Sequence, residues 1–318
     1  MQERIIQFLK ESGGYISGEE ISQRLKMSRA AIWKHMQELR AQGYEIAAVP
    51  HLGYQLVAAP DKLLGFEVQA GLGTKIMAKK IHLFDVVSST MDEAFRLGNE
   101  NCPEGTVVCA EFQTKGRGRL GRVWASPKGK GLYFSVVLRP NLALAHLPQM
   151  TLMSAVALAE AIEEVSGVEP TIKWPNDILL NNQKLAGILT ELRAESDQVR
   201  FVVLGIGLNI NSSANQLVPA ATSLKIAANR PFNRCEVFQA ILRSLEKGYA
   251  RLLDHDFAGI RKEWKKRSAT LQKKVRITDS SGTVEGTAID LDQDGALLIR
   301  QDSGAVIRKS AGDVILLR

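Results

Sequence analysis

The chain has 318 residues, 45% hydrophobic and 24% charged, with a formal net charge of +7 at pH 7. That length exceeds one ordinary domain and predicts two or three, in a globular protein with no apolar run of membrane-spanning length. Three cysteines without paired-ligand spacing and five scattered histidines argue against a disulfide framework, a zinc site or an HExxH hydrolase, and predict a reducing, cytoplasmic setting with no membrane partner.

Met1-Gln2-Glu3-Arg4 opens a polar-punctuated amphipathic segment unlike a signal peptide. Residues 2–11 predict a first helix, with Ile5, Ile6 and Leu9 at helical spacing. Ser17-Gly18-Glu19-Glu20 is a capping-box pattern that starts a second helix carrying Ile21 and Leu25. Lys26-Met27 reads as a tight turn, and Ser28 caps a third helix lined inside by Ile32, Met36 and Leu39. Gly43 ends that helix. Tyr44-Glu45-Ile46 and Tyr54-Gln55-Leu56 then predict two short strands around residues 50–53. The order is helix, helix–turn–helix over about residues 18–37, and a hairpin wing. In such modules the third helix enters the major groove and its N-terminal side reads base edges. The DNA-facing set is Ser17, Glu20, Ser28, Arg29, Ala30, Trp33, Lys34 and Gln37. Residues 1–57 carry seven basic and six acidic side chains, so a three-helix module for protein contacts stays open. Arg24, Lys26, Arg29 and Lys34 nevertheless gather where phosphate contacts are needed.

Ala58-Ala59-Pro60 reads as a linker. From residue 61 to about 267, strands are predicted at 81–86, 107–112, 132–138, 171–174 and 199–206, with helices at 152–165 and 237–253. The fold class is α/β (α+β), with hairpins that predict a mixed sheet. From Leu271 the period changes to short strands with Asp-Gly and Ser-Gly turns, the pattern of a small β-barrel. The expected domains are therefore 1–58, 61–267 and 270–318.

Two stretches carry the chemistry. Residues 116–122 hold three glycines and three arginines. Glycine allows close backbone approach, and arginine presents a donor fork that fits carboxylate and phosphate. Over residues 113–130 there are six cations and no acid, which suits a polyanionic substrate such as ATP. Alone, the loop is equally a flexible basic surface loop or a nucleic-acid arm. A second basic run at 261–276 has eight cations against Glu263 and reads as a solvated helix face. The other stretch is Lys173-Trp174-Pro175-Asn176-Asp177 followed by Lys184-Leu185-Ala186-Gly187-Ile188-Leu189. Asn181-Asn182 between apolar runs predicts a β-hairpin. Lys184 enters its second strand, where a buried ammonium needs a partner or snorkels from the strand end.

With Ser88-Ser89-Thr90, Ser126-Pro127-Lys128-Gly129, Leu132-Tyr133-Phe134-Ser135 and Gly205-Ile206-Gly207-Leu208-Asn209-Ile210-Asn211, these motifs resemble the bifunctional biotin protein ligases, over about residues 80–215 specifically and the rest more loosely. The resemblance implies a winged helix-turn-helix repressor domain, a mixed-sheet ligase domain and an SH3-like C-terminal domain. It implies an ATP- and Mg²⁺-dependent enzyme that makes biotinyl-5′-AMP and transfers biotin to a lysine of a biotin carboxyl carrier protein, that of acetyl-CoA carboxylase or pyruvate carboxylase. It further implies repression of biotin synthesis and uptake genes, with biotinyl-5′-AMP as co-repressor promoting a homodimer on operator DNA.

The residue roles implied are these. Gly116, Arg117, Gly118, Arg119 and Arg122 wrap the carboxylate and then the adenylate phosphate, with Arg119 and Lys184 catalytic. Ser89 and Thr90, at a helix start, hydrogen-bond the ureido ring, and Gln113 orients the ring or the carboxylate. Trp124, residues 185–188 (including Gly187) and residues 204–206 line an apolar slot. Asn209 and Asn211 lie near the nucleotide. Asp177 holds Mg²⁺ or orients a lysine, with Lys173 as its partner. Met91 stands where the family usually has a polar amide, and a thioether cannot replace that donor; it is expected only to line the pocket. Two other readings remain: a ligase for lipoate or octanoate, and a ligand-sensing transcription regulator without catalysis.

Overall fold

The computed structural model describes residues 1–195, 198–279 and 282–317, in two compact units, Met1–Lys62 and Leu63–Arg318. The smaller unit contains α1 (Gln2–Ser12), α2 (Gly18–Leu25), α3 (Arg29–Ala41), β1 (Glu45–Val49) and β2 (Gly53–Ala58). Ile5, Ile6, Leu9, Ile21, Ile32, Met36 and Leu39 are buried together by the helical period, each contributing about 1.5–3 kcal/mol. Ser17 Oγ accepts the Glu20 N–H and Ser28 Oγ the Ala31 N–H, at 3.0 and 3.2 Å. The capping-box pattern is used on one side, because the Glu20 carboxylate turns to Arg24 at 2.6 Å. Lys26 closes α2 in the left-handed region, φ 54°. β1 and β2 form the antiparallel wing, tied back by the Ile16–Tyr54 bridge.

The larger unit contains α4 (Gly65–Gln69), β3 (Ile81–Phe84), α5 (Thr90–Asn99), β4 (Thr106–Ala110), β5 (Gly131–Leu138), α6 (Leu147–Ser166), β6 (Thr171–Lys173), β7 (Asp177–Leu180), β8 (Gln183–Glu195), β9 (Gln198–Asn209), α7 (Leu224–Ala228), α8 (Arg234–Leu253) and α9 (Phe257–Lys266). Its seven-stranded sheet runs β3-β4-β5-β9-β8-β7-β6. β3 and β4 are parallel and the remaining pairs antiparallel, which makes the sheet mixed. Two helices begin earlier than hydropathy predicts: α6 at Leu147, where Pro148 suits the first turn, and α8 at Arg234, capped by Asn233. The β7–β8 turn is Asn181-Asn182, both left-handed (φ 50° and 61°), as a two-residue hairpin of this twist requires.

Side-chain alternation along β9 decides which face is core and which is site. Val202, Leu204, Ile206 and Leu208 join the large core with α6 and α8, whereas Phe201 and Val203 pack with Met91, Ala94 and Leu97 of α5. The chain ends in β10 (Lys274–Asp279), β11 (Gly282–Leu291), β12 (Leu297–Arg300), β13 (Val306–Lys309) and β14 (Asp313–Leu316), an antiparallel sheet in the order β13-β12-β11-β10-β14. The basic run at 261–276 is mostly solvated, with Lys262, Lys266, Lys273, Lys274 and Arg276 exposed, while Lys265 pairs with Asp290 and Arg267 with Glu163. Among the described residues no helix is long and apolar enough to cross a membrane.

Candidate active site

A cavity of about 420 Å³ opens on the α5 side of the sheet. Its floor is the cross-strand pair Gly187 and Gly207. The Trp124 indole lies on that pair: a Cβ on Gly207 would come within 2.3 Å of Trp124 Cε2, and one on Gly187 within 3.1 Å of Trp124 Cζ3. One step along β9, a Cβ on Gly205 would meet Met91 Sδ at 2.4 Å. The glycines are therefore required by space, since an aromatic ring and a thioether occupy what side chains would fill.

The glycine–arginine loop folds over this floor as a closed turn. Gly118 N–H donates to Arg122 O at 2.7 Å, Trp124 N–H donates to Gly116 O at 2.9 Å, and Leu120 sits at φ 55°. Each arginine that lines the cavity has protein partners. Arg117 pairs with Asp92 and with Glu191 (3.0 Å). Arg119 donates to Asn176 Oδ1 and to Gly312 O, both at 3.1 Å, and Arg122 pairs with Asp313. Burial pulls the Arg119 pKa down while Asp177 and Asp313 oppose the fall. The hydrogen bond and charge of Arg122 hold the Asp313 carboxyl below its ordinary range.

Lys184 Nζ lies 2.6 Å from Asp177 Oδ1 and 5.6 Å from the Trp124 ring centroid. The ammonium snorkels from the strand end and has its partner, with its side chain 37% exposed. This corrects the expectation for Lys173. Across β6–β7, Lys173 faces Asp177 in register, but the carboxylate turns to Lys184, and the charge of Lys173 bears on Asp313 instead. Of the two roles expected for Asp177, the lysine contact is the one present here, to Lys184.

At the far corner Ser89 caps α5, accepting the Met91 N–H at 3.3 Å. Gln113 Oε1 accepts from the Thr90 N–H at 2.8 Å and from Thr90 Oγ1 at 3.1 Å. Asn209, buried, also lines the cavity and donates to Thr222 O at 3.1 Å.

Of the expected substrate set, Ser89, Thr90, Met91, Gln113, Arg117, Gly118, Arg119, Arg122, Trp124, Lys184, Gly187 and Asn209 line this cavity, with Lys173 and Asp177. Gly116 is behind the wall, where a Cβ would strike Trp124 O at 2.6 Å. Of the expected apolar slot, Gly187, Ile188, Gly205 and Ile206 line the cavity, whereas Leu185, Ala186 and Leu204 stay in the helix-side core. Asn211 exchanges two hydrogen bonds with the Phe232 backbone and is a structural clamp. Several lining residues escaped assignment from the sequence, and two of them hold the arginines. Asn176, inside the quoted motif, bonds Arg119 and Ile188 O, and Asp313 is nearly two hundred residues from the arginine it holds, with no local signal.

In the smaller unit, Ser28, Arg29, Ala30, Trp33 and Lys34 form an exposed face of α3, with Gln37 half-buried beside it. Trp33 is 58% exposed. The hydroxyls of Ser17 and Ser28 are used as caps, and Arg29 is paired with Glu19.

Comparison with known proteins fits both units. Residues 83–209 match the model of the Biotin/lipoate A/B protein ligase family, residues 1–55 that of an HTH domain, and residues 270–317 that of the biotin protein ligase C terminal domain. The chain is 43% identical to the bifunctional ligase/repressor BirA of Bacillus subtilis over 96% of this chain and 95% of that one. It is 30% identical to the protein of the same name from Escherichia coli, over 98% and 95%. A solved biotin protein ligase from Aquifex aeolicus in complex with biotin and ATP superposes with a TM-score of 0.65 at 29% identity, covering 76% of this chain and 99% of that one. With its helix-turn-helix unit, its glycine-floored cationic cavity and this similarity along nearly its whole length, the chain belongs to the family of bifunctional ligase/repressor BirA proteins.

Proposed function

We propose that this chain joins biotin to ATP, transfers the biotinyl group to a lysine of a biotin carboxyl carrier protein, and represses transcription through its N-terminal unit. The observation that carries the reading is the convergence of Arg117, Arg119, Arg122 and Lys184 on one cavity floored by Gly187 and Gly207. The glycine floor admits a flat ring and an alkyl chain, and the cations meet the carboxylate and the α-phosphate.

An oxygen of the biotin carboxylate attacks the α-phosphorus of ATP, and pyrophosphate leaves with the electron pair of the broken P–O bond. The deprotonated acceptor amine then attacks the acyl carbon, forming the amide as AMP leaves. No enzyme nucleophile is needed. Arg119 and Lys184 bring two anions together and stabilise charge on the phosphate. Asp177 orients Lys184, Thr90 and Gln113 take the ureido ring, and Asn209 lies at the nucleotide end. The loop at 116–124 closes over the anhydride and keeps water from it. Among the described residues no three of His, Cys, Asp and Glu gather as ligands. Mg²⁺ then belongs to the MgATP substrate, carried on phosphate oxygens.

The functional division proposed is DNA binding by residues 1–58, ligation by 61–267 and a supporting C-terminal domain at 270–318. Biotinyl-5′-AMP promotes a homodimer whose two-fold axis matches a palindromic operator. ATP–pyrophosphate exchange tests the ligase. Exchange should depend on biotin, and Lys184→Ala or Arg119→Ala should lower kcat by roughly 10²–10³-fold. Exchange with lipoate but not biotin, or wild-type rates in both variants, would overturn the reading. A gel shift on operator DNA with and without biotinyl-5′-AMP tests the repressor.

A further inference from the structure

Behind the Thr90–Gln113 corner stands a chain of polar groups that the reaction does not touch. Ser135, fully buried on β5, lies 2.9 Å from Thr90 Oγ1. Gln113 Nε2 donates to Ser126 Oγ at 3.0 Å, and Ser126 Oγ is 3.4 Å from Trp124 O. The direction of every bond in this chain follows from one backbone group. The Thr90 N–H can only donate, so the Gln113 atom facing it is the oxygen. The Thr90 hydroxyl also donates to that oxygen, which uses its single proton, so Ser135 must be the donor to Thr90. On the other side Ser126 accepts from Gln113 and passes its own proton toward Trp124 O. Gly116 makes room: a Cβ there would stand 3.0 Å from Gln113 Nε2 and 3.1 Å from Ser126 Oγ.

We propose that Ser126 and Ser135 are positioning residues that fix the donor–acceptor polarity of the cavity's Thr90–Gln113 corner, so that it selects an acid carrying a paired carbonyl acceptor and N–H donor, a cyclic urea. Gln113 Oε1 already takes two hydrogen bonds, and Thr90 has spent its proton. What Thr90 and Gln113 themselves offer a ligand is therefore one donor, the second N–H of Gln113 Nε2, and one acceptor, the remaining lone pair of Thr90 Oγ1. A ureido ring supplies the complement to both. A dithiolane or plain alkyl end supplies neither and would leave both groups unpaired in the filled cavity, the situation from which enzymes obtain strong discrimination. Ser126 and Ser135 do not line the cavity; they act through their neighbours.

This inference rests on the biotin reading above. Its test is pyrophosphate exchange by the full-length protein with Ser126→Ala, Ser135→Ala and Ser126→Thr, using biotin and its cyclic-guanidine analogue iminobiotin, which presents N–H where biotin has C=O. Either alanine variant should lower kcat/KM for biotin about tenfold or more with KM for ATP unchanged. The loss with iminobiotin should be smaller, so the preference for biotin narrows. Ser126→Thr, which keeps the hydroxyl, should restore that preference. Equal losses for both acids, or wild-type kcat/KM in both alanine variants with unchanged melting, would overturn the inference. A wild-type protein inactive with biotin would instead overturn the function itself.

Discussion

Replacing Glu111 by Ala removes the partner of the most deeply buried ion pair here. Arg234, at the start of α8, is 1% exposed and Glu111, just past β4, is 8% exposed. Two guanidinium nitrogens reach the two carboxylate oxygens at 2.7 and 3.2 Å, and one also donates to Gly131 O at 3.2 Å. Glu111 Oε1 additionally accepts the Leu63 N–H at 3.0 Å. The truncation removes the carboxylate that two guanidinium nitrogens use and leaves a buried backbone N–H without its acceptor. Breaking a buried pair from one side costs about 3–5 kcal/mol, which for a unit of this size lowers the melting temperature by about 6–20 °C. Removing both charges with Glu111→Met and Arg234→Met should recover most of the loss, because an apolar replacement of both partners is often neutral or stabilising. Differential scanning calorimetry of the three proteins measures this. A single variant within about 1 kcal/mol of wild type, or a double variant less stable than the single, would refute the reasoning.

Gly207→Ala forces a methyl into the Trp124 ring. It should cost about 1–3 kcal/mol as overpacking and raise KM for biotin; unchanged melting and KM would show that the indole does not lie on the floor in solution. Asp313, held low by the Arg122 hydrogen bond, contributes stability above its unfolded pKa of about 3.9 that is lost as pH falls through the lower folded value. With its side chain 32% exposed, that contribution is under about 1 kcal/mol. The melting temperatures of wild type and Asp313→Asn should therefore converge from about pH 6 to about pH 3, and a gap that widens in acid would count against the pair. Lys34, exposed on α3, should behave as a phosphate contact. Lys34→Ala should weaken binding to any duplex similarly and reduce the slope of log affinity against log salt by about one; an altered base preference with an unchanged slope would assign it to base reading instead.

Much of the candidate site was legible because its residues lie in short motifs. The loop at 116–122, the Asn181-Asn182 hairpin that delivers Lys184, and the Ser89 cap that starts α5 each need only local geometry. Which face of a strand meets the site was less legible. Residues 185–188 and 204–206 each read as an apolar stretch facing one slot, yet Leu185 and Leu204 stay in the core with α6 and α8, while Gly205 and Gly207 lie beneath Met91 and Trp124. Met91, which looked like a missing hydrogen-bond donor, is instead a volume that Gly205 accommodates.

The sequence by itself determined the elements, because helical period, caps and turn residues act over a few positions; it also carried the cationic loop and the helix-turn-helix. Only the tertiary structure decided the partners. Lys184 rather than Lys173 holds Asp177, Asp313 holds Arg122, Asn176 holds Arg119, and Ser126 and Ser135 complete the hydrogen bonds of Gln113 and Thr90. Hydrogen bonds and ion pairs are settled within a few ångströms of space, and the residues that meet there are brought together by sheet order and domain packing, which no spacing along the chain encodes.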